Sequence, residues 1–168
     1  MADDNQQITE EEIILLEGIL NRNYSYAKQL DTYANIMIAL SSAIFIFAFS
    51  QLRDERSLFW MVLGLTTGVA TILSLIMVRP PRSLRKQGQE ESLMYSREIM
   101  SFASPLEYNR KLRLVLTNRE EIIDEYSKEI FNLTKYYYLP KKLIFRIAKG
   151  VLLTGMSISL LLFLLEYF

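Results

Sequence analysis

The chain has 168 residues, 19 Lys and Arg against 19 Asp and Glu, and neither cysteine nor histidine. Without cysteine there is no disulfide, thiolate nucleophile or Cys-ligated metal. Without histidine the commonest general base and metal ligand are also missing. Hydrophobic residues make up 51% of the chain, an ordinary average, so the information lies in where they sit.

The N-terminal stretch is acidic (Asp3, Asp4, Glu10, Glu11, Glu12), unlike the basic start of a cleavable signal. The first span is therefore expected to act as its own insertion signal. Thr9 can cap a helix, Glu12 can complete a capping box, and Ile8 with Ile13 can form a hydrophobic staple. Ile13, Leu16, Ile19, Leu20, Tyr24 and Ala27 recur at helical spacing. One helix is expected from about residue 10 into the first apolar block, its early half amphipathic and in need of a partner.

Three apolar blocks follow. Ala34–Ser50 and Leu58–Val78 contain no charge, and neither does Val151–Leu165, where the run ends at Glu166. A helix needs about 20 apolar residues to cross a bilayer, with about 17 as the lower limit. A soluble core helix normally keeps a polar stripe, and a chain this short has too little other surface to bury three such apolar cylinders. They read as three transmembrane helices.

Orientation follows from the bases. Residues 79–150 hold 15 of the 19 basic residues against 9 acidic ones, crowded at both membrane edges. The positive-inside rule places this stretch in the cytoplasm. The first two spans then form a hairpin, with the N-terminus cytoplasmic and the C-terminus outside. Within 79–150, prolines and Gly88 mark a linker. Ser104, Pro105 and Glu107 then form a helix start. That helix is expected to end near Thr117, and Thr117 or Asn118 caps the next. Ile122, Tyr126, Ile130, Leu133 and Tyr137 give the second helix its stripe. Leu139-Pro140 is expected to break it, and Pro140 to start a final helix of 29 residues, about 43 Å long.

The fold class is an all-α membrane protein with three transmembrane helices, an N-terminal hairpin and a C-terminal span, and a cytoplasmic helical region between the second and third. The expected segments are 1–33, 34–78, 79–140 and 141–168.

No arrangement of residues reads as catalytic. The carboxylate pairs at 120–121 and 124–125 fit a solvated helix face with i,i+4 pairing, such as Asp124 with Lys128. Neither a metal site nor a cofactor is expected. Small residues at Gly64, Gly68, Gly155 and Ser159 suit close helix packing. Thr67, Thr71 and Ser74 on the second span can pack likewise or wet a pore. On the first span Asn35, Ile38, Ser42, Ile46 and Phe49 share a face suited to a dewetting gate. Asp31 can ring a pore mouth or simply cap and solvate. The bases Arg79, Arg82, Arg85, Lys86, Arg110, Lys111, Arg113 and Arg119, with Tyr108 as a stacking surface, can hold a nucleotide. They can equally serve as topology determinants and lipid-headgroup partners.

The order of features resembles the Pycsar effector transmembrane family of bacterial anti-phage defence, with SLATT-type effectors as looser relatives. The likeness is clearest in SFASPLEYNRKL and in NREEIIDEYSKEIFNLTKYYYLPKKLIFRIAKGVLLTGMSISLLLFLL. At the first span the family has Asp-x-Lys-Ala, where this chain has Asp31-Thr32-Tyr33-Ala34. The resemblance implies a membrane-disrupting or ion-conducting effector of the bacterial inner membrane. Its control would lie with a nucleotide second messenger or short nucleic-acid oligomer made by a partner nucleotidyltransferase. The signal either opens the channel or, as in the Hailong type of system, holds it shut. Three spans enclose no aqueous pore, so a homo-oligomer in the lipid bilayer is expected, taken as a tetramer. No duplex DNA is implied. The rival readings are a membrane-tethered adaptor that recruits a cytoplasmic protein, and a holin-like lesion former without ligand control.

Overall fold

A computed structural model describes residues 9–54, 57–78 and 91–167. They form six α-helices and one π-helical segment: α1 (Glu10–Asp54), α2 (Leu58–Val78), α3 (Ser96–Ser101), α4 (Pro105–Leu116), α5 (Arg119–Asn132), the π segment (Leu133–Tyr138) and α6 (Leu139–Tyr167). The chain is all-α, and three of its helical stretches are long and apolar enough to cross a membrane.

The helix starts follow local chemistry. Glu12 N–H donates to Thr9 Oγ1 at 3.3 Å, and Thr9 N–H donates to Glu12 Oε2 at 3.0 Å, a reciprocal capping box. The expected staple residue Ile8 lies outside the described residues. No proline occurs between Glu10 and Asp54, and α1 runs for 45 residues. Ser104 caps α4 by accepting the Glu107 N–H, with Pro105 at the first turn. Asn118 caps α5 by accepting the Glu120 N–H at 3.1 Å.

One expectation is corrected here. Leu139-Pro140 does not break the helix, because α5, the π segment and α6 follow one another without a loop. Pro140 brings no N–H, and its ring would crowd the carbonyl four residues back. A wider π turn just before it relieves that conflict, a usual place for such a turn.

The chain divides into two units. The polar unit comprises residues 1–27 and 85–138, and the spanning unit residues 28–84 and 139–168. In the polar unit Leu93, Val115 and Ile122 form a small buried cluster, with Phe102 and Tyr126 packed against it. The early part of α1 turns Ile13, Leu16 and Leu20 partly inward and buries Ala27. Burying one large apolar side chain contributes about 1.5–3 kcal/mol, so a core this small leans on its polar contacts.

The spanning unit is built the other way round. Most of its buried positions are small: Ala34, Ser41 and Ala48 on α1, Gly64, Thr67, Ala70 and Ser74 on α2, and Ala148, Gly155 and Ser159 on α6, with Leu30, Met77, Lys141 and Leu152 the larger ones. Large side chains such as Leu40, Phe49, Leu65, Ile72, Leu160 and Leu165 face outward. Lipid is as apolar as leucine, so burying leucine between membrane helices gains little. Small residues instead let the backbones approach and gain van der Waals contact.

Candidate functional site

The seams of the spanning unit decide where its polar groups go. Ser41 and Thr71 share a hydrogen bond of 2.8 Å between α1 and α2. Thr67 is buried and donates to Leu63 O at 2.7 Å, and buried Ser74 donates to Ala70 O at 2.8 Å. The chain's own helices therefore cover Thr67 and Ser74, and cover Thr71 in part. Glycine makes the closest approaches possible. A Cβ on Gly64 would sit 3.7 Å from the Ala48 Cβ, and one on Gly68 would sit 3.2 Å from the Phe45 ring. One on Gly155 would overlap the Thr66 side chain, so α6 and α2 touch there through bare backbone. At one end Phe59 packs on Trp60 and Phe163, and the Ser57 hydroxyl donates to Glu166. Within the seam the Ser159 hydroxyl is buried with no partner among the described residues.

The first-span positions are placed differently. Asn35, Ile46 and Phe49 are exposed, Ile38 and Ser42 half-exposed. The Ser42 hydroxyl turns back to Ala39 O at 3.2 Å, and the Phe49 ring stacks on Phe45. The chain's own helices leave this face open.

Just before that face, sequence reasoning missed a pairing. Lys141 is fully buried, and its Nζ lies 2.5 Å from Asp31 Oδ1. Tyr33 stacks on Phe145 at 5.9 Å, joining the same two helices about half a turn further on. Asp31 was singled out by sequence, but Lys141 counted only among the bases crowded at the membrane edges. The two are separated by 110 positions, and no local spacing connects them.

The candidate ligand residues fall into three groups. Arg110 and Lys111 are exposed on α4, as is Arg113, whose Nε donates to Asn109 Oδ1 at 3.0 Å. Arg119 and Tyr108 serve the fold. Arg119 pairs with Glu12 and ties α5 to the start of α1. The Tyr108 hydroxyl donates to Leu93 O at 3.3 Å while its ring packs edge-on against Phe102. Arg79, Arg82, Arg85 and Lys86 lie outside the described residues.

A second missed feature is a carboxylate hub. Buried Glu129 accepts from the Tyr24 hydroxyl at 2.6 Å and from the Ser92 hydroxyl at 2.5 Å. One turn earlier Glu125 accepts the Leu93 N–H at 2.6 Å. Two separate stretches of chain, α1 through Tyr24 and the segment 91–95 through Ser92 and Leu93, thus meet on α5. Burial, then the bond to Glu129, pushes the Tyr24 phenol well above its usual range. The Arg119 hydrogen bond, followed by Thr9, holds the Glu12 carboxyl below its ordinary value. The Asp124 carboxylate, 2.7 Å away, raises Lys128.

The geometry offers seams, ion pairs and an open helix face. Comparison with known proteins agrees with a membrane role. No curated protein and no solved structure matches the chain. A family model does: the Pycsar effector protein domain matches residues 15–167, covering all three spans and the helices between them. With nearly the whole length matched, the chain belongs to the Pycsar effector family, as a transmembrane effector domain of anti-phage defence.

Proposed function

We propose that this domain forms a homo-oligomeric ion channel or pore in the bacterial inner membrane, under the control of a nucleotide signal. The observation that carries the pore reading is the open face of α1. Asn35 and Ser42 lie on it among apolar residues, and the described residues leave it largely exposed. An amide facing hydrocarbon is unfavourable, and intramembrane polar groups generally face a bundle interior or a water-filled cavity. Several copies, taken as four, would turn this face inward, with Ile38, Ile46 and Phe49 as apolar rings that gate by dewetting. Thr67, Thr71 and Ser74 then hold each subunit together. Depolarisation through such a pore would arrest or kill the infected cell.

Control is assigned to the polar unit, placed in the cytoplasm with the N-terminus, the C-terminus emerging outside. Arg110, Lys111 and Arg113 on α4 present exposed cations for phosphates. The ligand would be a nucleotide second messenger or a short oligomer from a partner nucleotidyltransferase. It shifts a two-state equilibrium only by its differential affinity for the open and closed states.

The test is ion flux through liposomes holding the purified protein, with and without cyclic nucleotides and short DNA or RNA oligomers. Flux that one of these switches supports the reading, and its sign separates an opener from a ligand that holds the pore shut. Flux indifferent to every nucleotide points to a lesion former. A second reading, a membrane-tethered adaptor, is favoured by the exposed Leu106, Leu114 and Leu116 on α4. It predicts no flux at all from inserted protein.

A further inference from the structure

Two helices of the polar unit each leave an outward face exposed among the described residues, and the two faces complement one another. On α4 the side toward the core carries Tyr108, Leu112 and Val115. The opposite side, at i, i+4, i+7 and i+8, carries Leu106, Arg110, Arg113 and Leu114. Leu106 is 74% exposed and Leu114 59%, so this face is apolar with two guanidiniums between the leucines. On α1 the side toward the core carries Ile13, Leu16, Leu20 and Ala27. Its opposite side carries Ile14, 61% exposed, and Leu15, 63% exposed, ringed by Glu10, Glu11 and Glu17. None of these three glutamates, and neither Arg110 nor Arg113, makes an ion pair with another described residue.

We infer that the acidic, apolar face of α1 docks on the basic, apolar face of α4 of a neighbouring copy of this chain. The partner follows from charge complementarity. Each face exposes two large aliphatic side chains; three glutamates stand on the α1 face, and on the α4 face two arginines outnumber Glu107, whose carboxylate accepts the Ala103 N–H. Exposed ion pairs are weak alone. The apolar contact therefore supplies the affinity, while the charges fix register and exclude the like face of another copy.

The two faces differ, so the contact is head-to-tail. Each copy offers one of each, and the chain of contacts must close into a ring or run on as a filament. Insertion in a membrane gives every copy the same orientation, which makes rotation about the membrane normal the natural operator and a ring its closure. This inference rests on the oligomeric reading above and names its interface. A phosphate and a glutamate seek the same guanidiniums, so a ligand at Arg110 and Arg113 would compete with the neighbouring copy.

The test exploits a chain that has no native cysteine. Full-length protein in membranes is given one cysteine on each face, Ile14→Cys or Leu15→Cys with Leu106→Cys or Leu114→Cys, and oxidised. A disulfide needs Cα atoms about 4.4–6.8 Å apart, which is why a panel of pairs is used. The expected result is a covalent ladder beyond the dimer for at least one double variant, and none for any single variant. Reversing Glu10, Glu11 and Glu17 to lysine should cut the ladder at least tenfold, as should R110E with R113E. Combining the two sets should restore it. Dimers from single-cysteine variants would mean that like faces meet, and would overturn the inference. So would a ladder that the combined reversal fails to restore. No ladder from protein that is oligomeric by size places the interface elsewhere while the oligomer stands. Protein that is monomeric in every preparation removes both.

Discussion

Lys141 reaches across 110 positions to Asp31, and the two charged atoms lie 2.5 Å apart with the lysine wholly buried. The pair joins α6 to α1 at the base of the spans, where the Tyr33–Phe145 stack repeats the connection. Removing one partner of a buried pair is far worse than replacing both, because a charge is left behind without its counter-ion. Asp31→Ala is expected to destabilise the detergent-solubilised protein by about 3 kcal/mol. The double variant D31A/K141M should recover most of that loss, as read by thermal unfolding.

The α2–α6 contact makes a second, graded prediction. Gly155→Ala places a methyl group on the Thr66 side chain and has no room to relax, since Thr66 presents its own Cβ there. Overpacking of this kind costs about 1–3 kcal/mol. Gly64→Ala meets Ala48 at ordinary contact distance and should be close to neutral, and Gly18→Ala meets nothing. A melting series in detergent that failed to rank G155A lowest would contradict this packing.

Glu129 anchors the segment 91–95 through Ser92, and Glu125 anchors it through the Leu93 N–H. A hydrogen bond to a charged group contributes about 1.5–3 kcal/mol. Glu129→Leu should therefore release the segment locally, with faster amide exchange at Ser92 to Tyr95, and should also free the Tyr24 hydroxyl. Tyr24→Phe removes a single donor and should leave exchange in that segment nearly unchanged. Equal effects from the two variants would argue against a hub on Glu129.

The Glu12–Arg119 pair sets the sign of an acid response. Glu12 titrates below the ordinary glutamate value of 4.5 in the folded chain. Unfolded chains then bind more protons than folded ones in the interval below that value. The contribution is complete above 4.5 and is lost as pH falls through the lowered value. Exchange in the first turns of α1, corrected for intrinsic rates, should rise across that interval. Arg119→Gln should flatten the larger part of the response, whereas Thr9→Ala, which keeps the backbone N–H that donates to Glu12, should change it only slightly.

The sequence alone was enough for the membrane class, the three spans, the caps at Thr9 and Ser104, and the family resemblance, and it narrowed the cap of α5 to Thr117 or Asn118. Each of these depends on local composition or on spacings of a few residues, and hydrophobicity sums along the chain whatever the fold does. What only the tertiary structure decided is which face of each helix meets another. Thr67 and Ser74 looked equally suited to a lumen or a seam, and the close fit around Gly64 and Gly155 turned them inward. Lys141 read as one surface base among several until its position opposite Asp31 made it a buried partner. Glu129 sat in an acidic helix with nothing to distinguish it from its neighbours, and Tyr24 and Ser92 reached it from far along the chain. Pro140 looked like a stop, yet a π turn beside it let the helix continue. Helical periodicity shows that a stripe exists, whereas the matching of one stripe to another is a steric and electrostatic fit between distant segments, which the tertiary structure alone contains.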